Sequence, residues 1–167
     1  PGMLATDPAV LIYTSGTTGL PKAAIMTHLR CVGAGSVFAR LGNINQRDVI
    51  YTALPLYHSA GGVIGVGSAF TTGAKLVVRR KFSATHFISD CKKHGCTVAQ
   101  YIGEILRYLL TTEAGPQDRD HQLRMFLGNG LRPDIWDGVV ERFGVTIFEF
   151  YGATEGNVTM LNPYGMA

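Results

Sequence analysis

Short apolar runs alternate with longer apolar or small-residue segments along most of this chain. Six runs of apolar and β-branched residues, bounded by Gly, Pro or charged positions, predict strands at 9–13, 49–54, 75–78, 97–102, 125–127 and 145–150. Five longer segments predict helices at 28–41, 59–72, 83–94, 105–110 and 133–143. Because strands and helices alternate, we expect an α/β fold whose mostly parallel sheet carries helices on both faces.

Residues that favour helix ends occur at the predicted ends of the third and the last helix. Pro133 lies in the first turn of the last helix, and Gly144 follows its apolar stripe. Ser83 is a candidate N-cap for the third helix, which Gly95 closes. The boundaries of these two helices are therefore predicted by two separate signals, periodicity and end residues.

Four loops of unusual polar composition each follow a predicted strand, at 14–22, 55–61, 128–130 and 151–155. The strand before the first loop, at 9–13, is apolar enough to be buried. In open parallel sheets, ligands bind beyond the carboxyl ends of the strands. We therefore expect the four loops to lie at one edge of the sheet and to form one site.

The first loop combines hydroxyl groups, glycines and one lysine. Its residues are Thr14, Ser15, Gly16, Thr17, Thr18, Gly19, Leu20, Pro21 and Lys22. Hydroxyl donors, backbone N–H groups that glycine leaves accessible and one mobile cation suit phosphate oxygens. The loop is not a Walker loop, since Pro21 precedes Lys22 and Ala23 follows it. A Gly/Thr-rich surface turn without a ligand is the alternative.

The last loop, 151–155, offers an aromatic ring, a hydroxyl and a carboxylate in five residues. The ring of Tyr151 can stack on a purine, and the hydroxyl of Thr154 can reach a phosphate. The carboxylate of Glu155 can hold Mg²⁺ together with phosphate oxygens. By itself, this segment is equally compatible with an ordinary turn after a strand.

Composition narrows the class of protein without naming a function. The chain has 167 residues, of which 46% are hydrophobic and 16% charged, as expected of one ordinary core. The net charge is +3, and the basic run at 79–81 lacks the clustered basic face of a nucleic-acid binder, so no nucleic-acid partner is expected. Three cysteines, an odd number, favour a reducing compartment over a disulfide framework.

Two features suggest other functions and are better explained by the fold. Cys91, His94 and Cys96 could ligate a metal, but no second ligand pair follows, which favours structural cysteines. Residues 49–74 contain no Asp, Glu, Lys or Arg. A proline, a histidine and five glycines interrupt them, so no apolar segment of ~20 residues remains to span a membrane.

The first and the last of the four polar loops also match known sequence patterns. Residues 13–22 (Tyr-Thr-Ser-Gly-Thr-Thr-Gly-Leu-Pro-Lys) and 151–155 (Tyr-Gly-Ala-Thr-Glu) resemble, in this order, the two signatures of the adenylate-forming superfamily. Further stretches are similar to the fatty acid transport proteins, also called very-long-chain acyl-CoA synthetases: 81–87, 101–110, 128–132 and 150–157. The resemblance covers nearly the whole chain.

The resemblance implies a nucleotide site for ATP. Its residues would be Thr14, Ser15, Gly16, Thr17, Thr18, Gly19, Lys22, Gly128, Asn129, Gly130, Tyr151, Gly152 and Thr154. Within this set, residues 15–22 would hold the β- and γ-phosphates, and residues 128–130 with Tyr151 would border the adenine. Thr154 would contact the α-phosphate, and Glu155 would hold Mg²⁺. His58 would lie beside the reacting carboxylate.

The resemblance also implies a two-step reaction. A fatty acid carboxylate and ATP give acyl-AMP and pyrophosphate, and CoA as co-substrate then displaces AMP. Lys22, His58, Thr154 and Glu155 would form the catalytic set. Charge neutralisation by Mg²⁺, Lys22 and the loop N–H groups is the physical task, and no protein nucleophile is required.

Substrate class has a further basis in the residues. No Asp or Glu occurs between Asp48 and Asp90, so an amino-acid substrate would leave its ammonium unpaired. Val63, Ile64, Val66 and Phe70, with nearby glycines, suit an alkyl chain. The expected substrate is therefore a long- or very-long-chain fatty acid. An uptake protein with secondary or no synthetase activity is the alternative that the resemblance leaves open.

The resemblance implies that residues 1–167 are part of a large AMP-binding domain, incomplete at both ends. A ribose-binding Asp and a small domain with a catalytic Lys would lie beyond Ala167. The parent protein would be membrane-associated through segments outside this chain, at the endoplasmic reticulum, peroxisome or plasma membrane, with its catalytic part facing the cytosol. Chain-length preference, organelle and oligomeric state stay open.

Overall fold

The computed structural model of the chain describes residues 2–15, 19–156 and 159–165. Its strands are β1 Pro8–Thr14, β2 Lys22–Thr27, β3 Val49–Thr52, β4 Lys75–Val78, β5 Val98–Ile102, β6 Met125–Asn129, β7 Thr146–Tyr151 and β8 Met160–Asn162. Its α-helices are α1 His28–Leu41, α2 Val66–Thr72, α3 Ala84–Lys93, α4 Gly103–Leu110 and α5 Pro133–Phe143. A π-helix, Ser59–Gly65, precedes α2, and a 3₁₀ turn, Pro116–Asp118, follows α4.

The main sheet has six strands in the order β4-β3-β5-β6-β7-β8. Its first five strands are parallel, and β8 pairs with β7 in the antiparallel sense. The prediction of a mostly parallel α/β sheet is therefore confirmed. β8 was not predicted, since three residues are too few to show a period-two pattern.

Helices cover both faces of this sheet, as predicted. Along β6, Phe126 packs on the face covered by α3, α4 and α5. Its neighbours Met125 and Leu127 point to the other face, where α1 and α2 pack. Successive strand residues point to opposite faces, so a strand covered on both sides can be apolar at consecutive positions. This explains the continuous apolar run of Met125, Phe126 and Leu127 in β6.

The helix boundaries follow the end residues only in part. Helix α5 begins at Pro133 and ends at Gly144, which adopts the left-handed conformation with φ 64°. Gly95 is also left-handed, with φ 61°, just after α3. Ser83 is the N-cap residue of α3, as predicted, but its side chain makes no capping hydrogen bond. Its hydroxyl lies 3.1 Å from that of Thr85 instead.

The first strand differs most from expectation. β1 pairs with β2 as an antiparallel hairpin in a sheet of its own. Of the seven residues of β1, only Ile12 is buried, so the prediction of a buried strand is wrong. The loop at 14–22 therefore joins two hairpin strands instead of following a strand of the parallel sheet. An apolar run shows that a strand forms, but not which sheet the strand enters.

The predicted helix at 59–72 is two segments, the π-helix and α2. Gln100 of β5 lies beneath the π-helix and donates from Nε2 to the Ala60 carbonyl at 2.7 Å. A Cβ at Gly65 would lie 2.3 Å from the Gln100 Oε1 atom. Within the described ranges, no helix is long and apolar enough to cross a membrane.

Candidate active site

The loop after β7 lies against the start of the π-helix. The Ser59 and Thr154 hydroxyl oxygens are 3.3 Å apart, although the two residues come from distant parts of the chain. Ser59 follows the loop after β3, and Thr154 follows β7, so the carboxyl ends of two parallel strands meet here. Short π-helical segments occur frequently at functional sites. Two of the four predicted loops are thus brought together.

The hairpin loop reaches the same place from the other sheet. A hydrogen bond from the Thr14 side chain to the Glu155 carboxylate is the main cause that holds the pKa of Glu155 below its usual value. The Thr14 hydroxyl also lies within 3.4 Å of the Lys22 carbonyl, its partner across the hairpin. The two motifs are therefore in contact, by a route that differs from the predicted shared strand edge.

The remaining residues of the hairpin loop divide into two groups. Ser15, Gly19 and Lys22 are exposed, and Gly19 has φ 134°, a conformation that glycine adopts readily. Gly16, Thr17 and Thr18 lie outside the described residues. Their predicted contact with phosphate therefore stays a prediction.

The turn at 128–130 packs backbone against backbone. A Cβ at Gly128 would lie 2.1 Å from the Tyr101 carbonyl oxygen, so this position has no room for a side chain. Gly130 is left-handed with φ 78°, and Asn129 between them is half-buried. Tyr151, the other predicted neighbour of the adenine, keeps 69% of its surface exposed. The predicted stacking of Tyr151 on adenine stays a prediction.

Two residues that hold these loops were missed by sequence reasoning. Arg30 of α1 donates from Nη2 to the carbonyls of Thr154, at 3.0 Å, and Gly156, at 2.6 Å. Its Nη1 donates to the Ile25 carbonyl of β2 at 3.3 Å. Arg30 therefore joins the hairpin to the loop that carries Glu155. One signal was available: Arg30 is a charge near the start of a mostly apolar and small-residue helix.

The second missed residue is Glu149 of β7. Its carboxylate accepts hydrogen bonds from the backbone N–H groups of Gly130 and Leu131 and from the Tyr101 hydroxyl. These contacts link residues far apart in sequence, and no local pattern could indicate them.

A groove of about 400 Å³ opens beside Thr154. Its apolar lining comes from α1, the π-helix, β2, β7 and β8: Met26, Ala34, Val37, Phe38, Val63, Ile64, Phe150 and Leu161. Ser59, Thr154, Gly152 and Arg30 are among its polar or small lining residues. The groove therefore has apolar walls and hydroxyl groups beside the Glu155 loop.

Two of the four residues predicted to suit an alkyl chain line this groove, and binding of an alkyl chain there stays a prediction. Val63 and Ile64 line the groove. Val66 and Phe70 do not, and Phe70 is 84% exposed, because α2 turns this side chain outward. His58, predicted beside the reacting carboxylate, is exposed and directly precedes Ser59.

Glu155 is the residue predicted to hold a magnesium ion, and this stays a prediction. It is exposed, and its lowered pKa keeps the carboxylate ionised at neutral pH. Within the described residues, no group of three or more His, Cys, Asp or Glu side chains could hold a metal. Protein-bound Mg²⁺ commonly uses one or two carboxylates together with substrate phosphates, so a single carboxylate is compatible with it.

The cysteines lie away from this site. Cys91, on the buried face of α3, and Cys96, just after that helix, are free and buried in the core, whereas His94 is exposed. The hydrogen bond between the two thiols, followed by burial, raises the pKa of Cys91. These positions are those of packed structural thiols.

Comparison with known proteins agrees with this geometry. Residues 2–166 match the family described as AMP-binding enzyme. Long-chain fatty acid transport protein 2 of Rattus norvegicus is 53% identical, over 94% of this chain and 25% of its own length. Long-chain fatty acid transport protein 1 of Homo sapiens is 52% identical, over 95% of this chain and 25% of its own length.

One solved structure shows the same fold with nucleotide present. ATP-bound MatB from Rhodopseudomonas palustris superposes with a TM-score of 0.85 and 25% identity, over 99% of this chain and 33% of that one. The chain spans about a quarter of the length of the curated relatives it matches. The match over residues 2–166 shows that this chain belongs to the family of AMP-binding enzymes.

Proposed function

We propose that this chain is the nucleotide- and acyl-binding part of a longer protein that activates long- or very-long-chain fatty acids. ATP and the fatty acid give acyl-AMP and pyrophosphate, and CoA then receives the acyl group. The position of Thr154 carries the proposal. Its hydroxyl lies 3.3 Å from Ser59 beside an apolar groove, and the next residue, Glu155, is hydrogen-bonded to Thr14 of the hairpin loop.

This arrangement suits a reaction between a carboxylate and a triphosphate. A fatty acid with its chain in the groove would present its carboxylate at Ser59 and Thr154. A triphosphate along the hairpin loop would reach the same point from the Thr14 side. Lys22 is exposed at the start of β2, where its ammonium can neutralise phosphate charge. Thr154 would then contact the α-phosphate.

Magnesium would be held by Glu155 and phosphate oxygens. The bound ion would supply charge neutralisation at the phosphates. Thr14 orients the Glu155 carboxylate and favours its ionised form. Arg30 fixes the backbone on both sides of Glu155 through the carbonyls of Thr154 and Gly156. The contacts of Thr14 and Arg30 would therefore hold the Glu155 carboxylate in position without contacting the ion themselves.

The apolar groove supports a fatty acid over an amino acid. Each methylene group that leaves water for an apolar wall contributes about 0.8 kcal/mol, or roughly fourfold in affinity. An ammonium group would meet Arg30 as a charged neighbour in the groove, and like charges repel. Long acyl chains are therefore expected to outperform acetate, and amino acids to be excluded.

A fatty-acid uptake protein with secondary or no synthetase activity is the second candidate. The names of the curated relatives, long-chain fatty acid transport proteins, favour it. The exposed lysine of the phosphate loop and the ionised Glu155 favour the enzyme instead. In either case, we propose a protein at a membrane, with segments outside this chain responsible for attachment.

The full-length protein that contains this chain provides the test. Formation of AMP from ATP is measured with acetate, hexadecanoate, tetracosanoate and a panel of amino acids, with CoA present. We expect activity with the two long acids, weak activity with acetate and none with amino acids. Higher activity with acetate or an amino acid would refute the substrate class. Cellular fatty-acid uptake without acyl-AMP or thioester formation would favour the transport function.

A further inference from the structure

The carboxylate of Glu149 ties together the ends of three parallel strands. It extends from β7, accepts the N–H groups of Gly130 and Leu131 just after β6, and accepts the hydroxyl of Tyr101 from β5. The Glu149 to Leu131 distance is 3.3 Å. All three donors are neutral groups, so the carboxylate holds backbone and a phenol in place instead of balancing a cation.

The turn that Glu149 holds cannot easily take another shape. Gly130 is left-handed, with φ 78°. A Cβ at Gly103 would lie 1.7 Å from the Gly130 carbonyl oxygen, so the first turn of α4 packs directly on this peptide. The Glu149 carboxylate accepts a hydrogen bond from the N–H of Gly130. The peptide groups of residues 128–130 are thereby fixed in direction.

Tyr101 is well suited to remain a donor in this contact. It is fully buried. Burial, followed by the hydrogen bond and charge of Glu149, raises the pKa of the Tyr101 phenol above its usual value. The hydroxyl thus stays protonated at any physiological pH. One Glu149 oxygen is reserved for the phenol and the other for the turn.

Glu149 and Tyr151 stand two residues apart on β7, and alternate strand residues share a face. The turn at 128–130 and the Tyr151 ring are the two groups that would border the adenine. We propose that Glu149 is a positioning residue for adenine-nucleotide binding, which it supports by orienting the peptide groups of residues 128–130. This assignment rests on the proposed function, since it requires a nucleotide between the turn and Tyr151.

The assignment predicts an effect on one half of the nucleotide only. The adenine side depends on the turn, whereas the phosphates depend on the hairpin loop in the other sheet. Glu149→Gln removes the charge and one of the two acceptor oxygens, so the side chain can no longer accept from both the turn and the Tyr101 hydroxyl. In the full-length protein, this variant is expected to weaken AMP binding and raise the KM for ATP about tenfold. The affinity for pyrophosphate and the kcat at saturating ATP are expected to change less than about twofold.

Two further variants complete the experiment. Tyr101→Phe keeps the packed ring and removes only the phenol donor, so the same selective loss of AMP affinity is expected, of smaller size and not additive with Glu149→Gln. Glu141→Gln on the exposed side of α5 makes the same chemical change away from the turn and is expected to bind AMP like the wild type. Calorimetry with AMP and with pyrophosphate gives the ratio of the two affinities.

The outcomes separate this assignment from the proposed function. Wild-type protein that binds AMP together with a Glu149→Gln variant that binds it equally well overturns the assignment alone. Equal losses for AMP and pyrophosphate also overturn it, because they indicate a general structural role. If Glu149→Gln does not fold, the AMP-to-pyrophosphate ratio of Tyr101→Phe decides. Wild-type protein that binds neither ligand overturns both the assignment and the proposed function.

Discussion

The β1–β2 hairpin and the six-stranded sheet contribute to the same site but differ in how they are held. In the sheet, Ile50 and Phe126 are completely buried between helices. In the hairpin, Ile12 and Met26 are buried, and they share a small cluster with Val63, whereas Leu11 stays 51% exposed. Most groups that would border adenine and acyl chain lie on the deeply packed region, although Met26 of the hairpin also lines the groove. The phosphate loop lies on the lightly packed region. Rigidity at this site is therefore expected to differ from one end of the nucleotide to the other.

Core truncation gives the largest expected effect and tests whether the two regions differ in packing. Phe126→Ala is expected to lower the free energy of unfolding by about 3–5 kcal/mol, because a buried aromatic leaves a large cavity. Ile12→Ala is expected to cost about 2 kcal/mol, since the small hairpin cluster can collapse around the gap. Urea unfolding of both variants measures the two values. Equal losses would contradict the difference in packing.

Lys22→Ala tests the chemistry of the hairpin region. The side chain is exposed, so the fold should persist, while acyl-AMP formation should fall by about 10²- to 10³-fold. Fatty-acid-dependent pyrophosphate release by the full-length protein measures the rate. Lys75→Ala is the matched control, because Lys75 is an exposed lysine at the amino end of β4, an edge strand of the six-stranded sheet. Equal rates for the two variants would contradict a phosphate role for Lys22.

Arg30→Met tests how the two regions are coupled. Arg30 donates to a carbonyl of the hairpin and to two carbonyls beside Glu155, so its removal separates them. We expect acyl-AMP formation to fall about tenfold, with a higher Mg²⁺ requirement. Arg30→Lys should recover little, because an ammonium lacks the planar fork. Arg40→Met, on the exposed side of the same helix, is the control, and an equal effect there would indicate simple helix destabilisation.

Thr14→Val gives the smallest expected effect and isolates one contact between the regions. The hydrogen bond from Thr14 lowers the pKa of Glu155, so its loss should move this pKa up toward the usual value. Carboxyl NMR titration of the metal-free protein measures it. Thr146→Val, at the exposed amino end of β7, is the control. An unchanged Glu155 pKa in Thr14→Val would show that the contact is absent in solution.

The contact between Thr14 and Glu155 also determines how the free energy of unfolding changes with pH. The pKa of Glu155 is lower in the folded chain than in the unfolded one, so its contribution to stability is complete above the unfolded value. That contribution is lost as the pH falls from the usual glutamate pKa through the lowered one. The effect is confined to acidic pH because glutamate titrates there. It is weak because the Glu155 carboxylate is exposed.

The parallel sheet could be predicted from sequence because its signals are local. Residues 125–127 of the buried strand β6 are continuously apolar, and Pro133 and Gly144 mark the two ends of α5. The hairpin could not be predicted in the same way. The first half of β2, Lys22-Ala23-Ala24, lacks the β-branched residues typical of strands, so the pattern did not indicate a partner for β1. The π-helix was also missed, since one extra residue in a turn leaves no trace in apolar spacing.

The candidate site also combines local features, which the sequence indicates, with long-range contacts, which it does not. The chemistry of the hairpin loop and of Thr154 and Glu155 is contained in short segments and can be predicted from them. The contacts that hold these segments are not local: Arg30 bonds to Thr154, and Glu149 bonds to Gly130. Such partners become visible only when the fold brings the strands together.

The packing of the π-helix on β5 restricts how this sequence can diverge. Gln100 is almost completely buried, and its Oε1 atom lies where any side chain at position 65 would begin. A mutation that adds even one methyl group at position 65 therefore collides with Gln100, and a mutation that shortens Gln100 leaves a gap and frees the Ala60 carbonyl. Each change alone forces its neighbour to move or leaves a gap, whereas the two changes together compensate for each other. Positions 65 and 100 are thus expected to change as a pair across natural variants, although 34 residues of chain separate them.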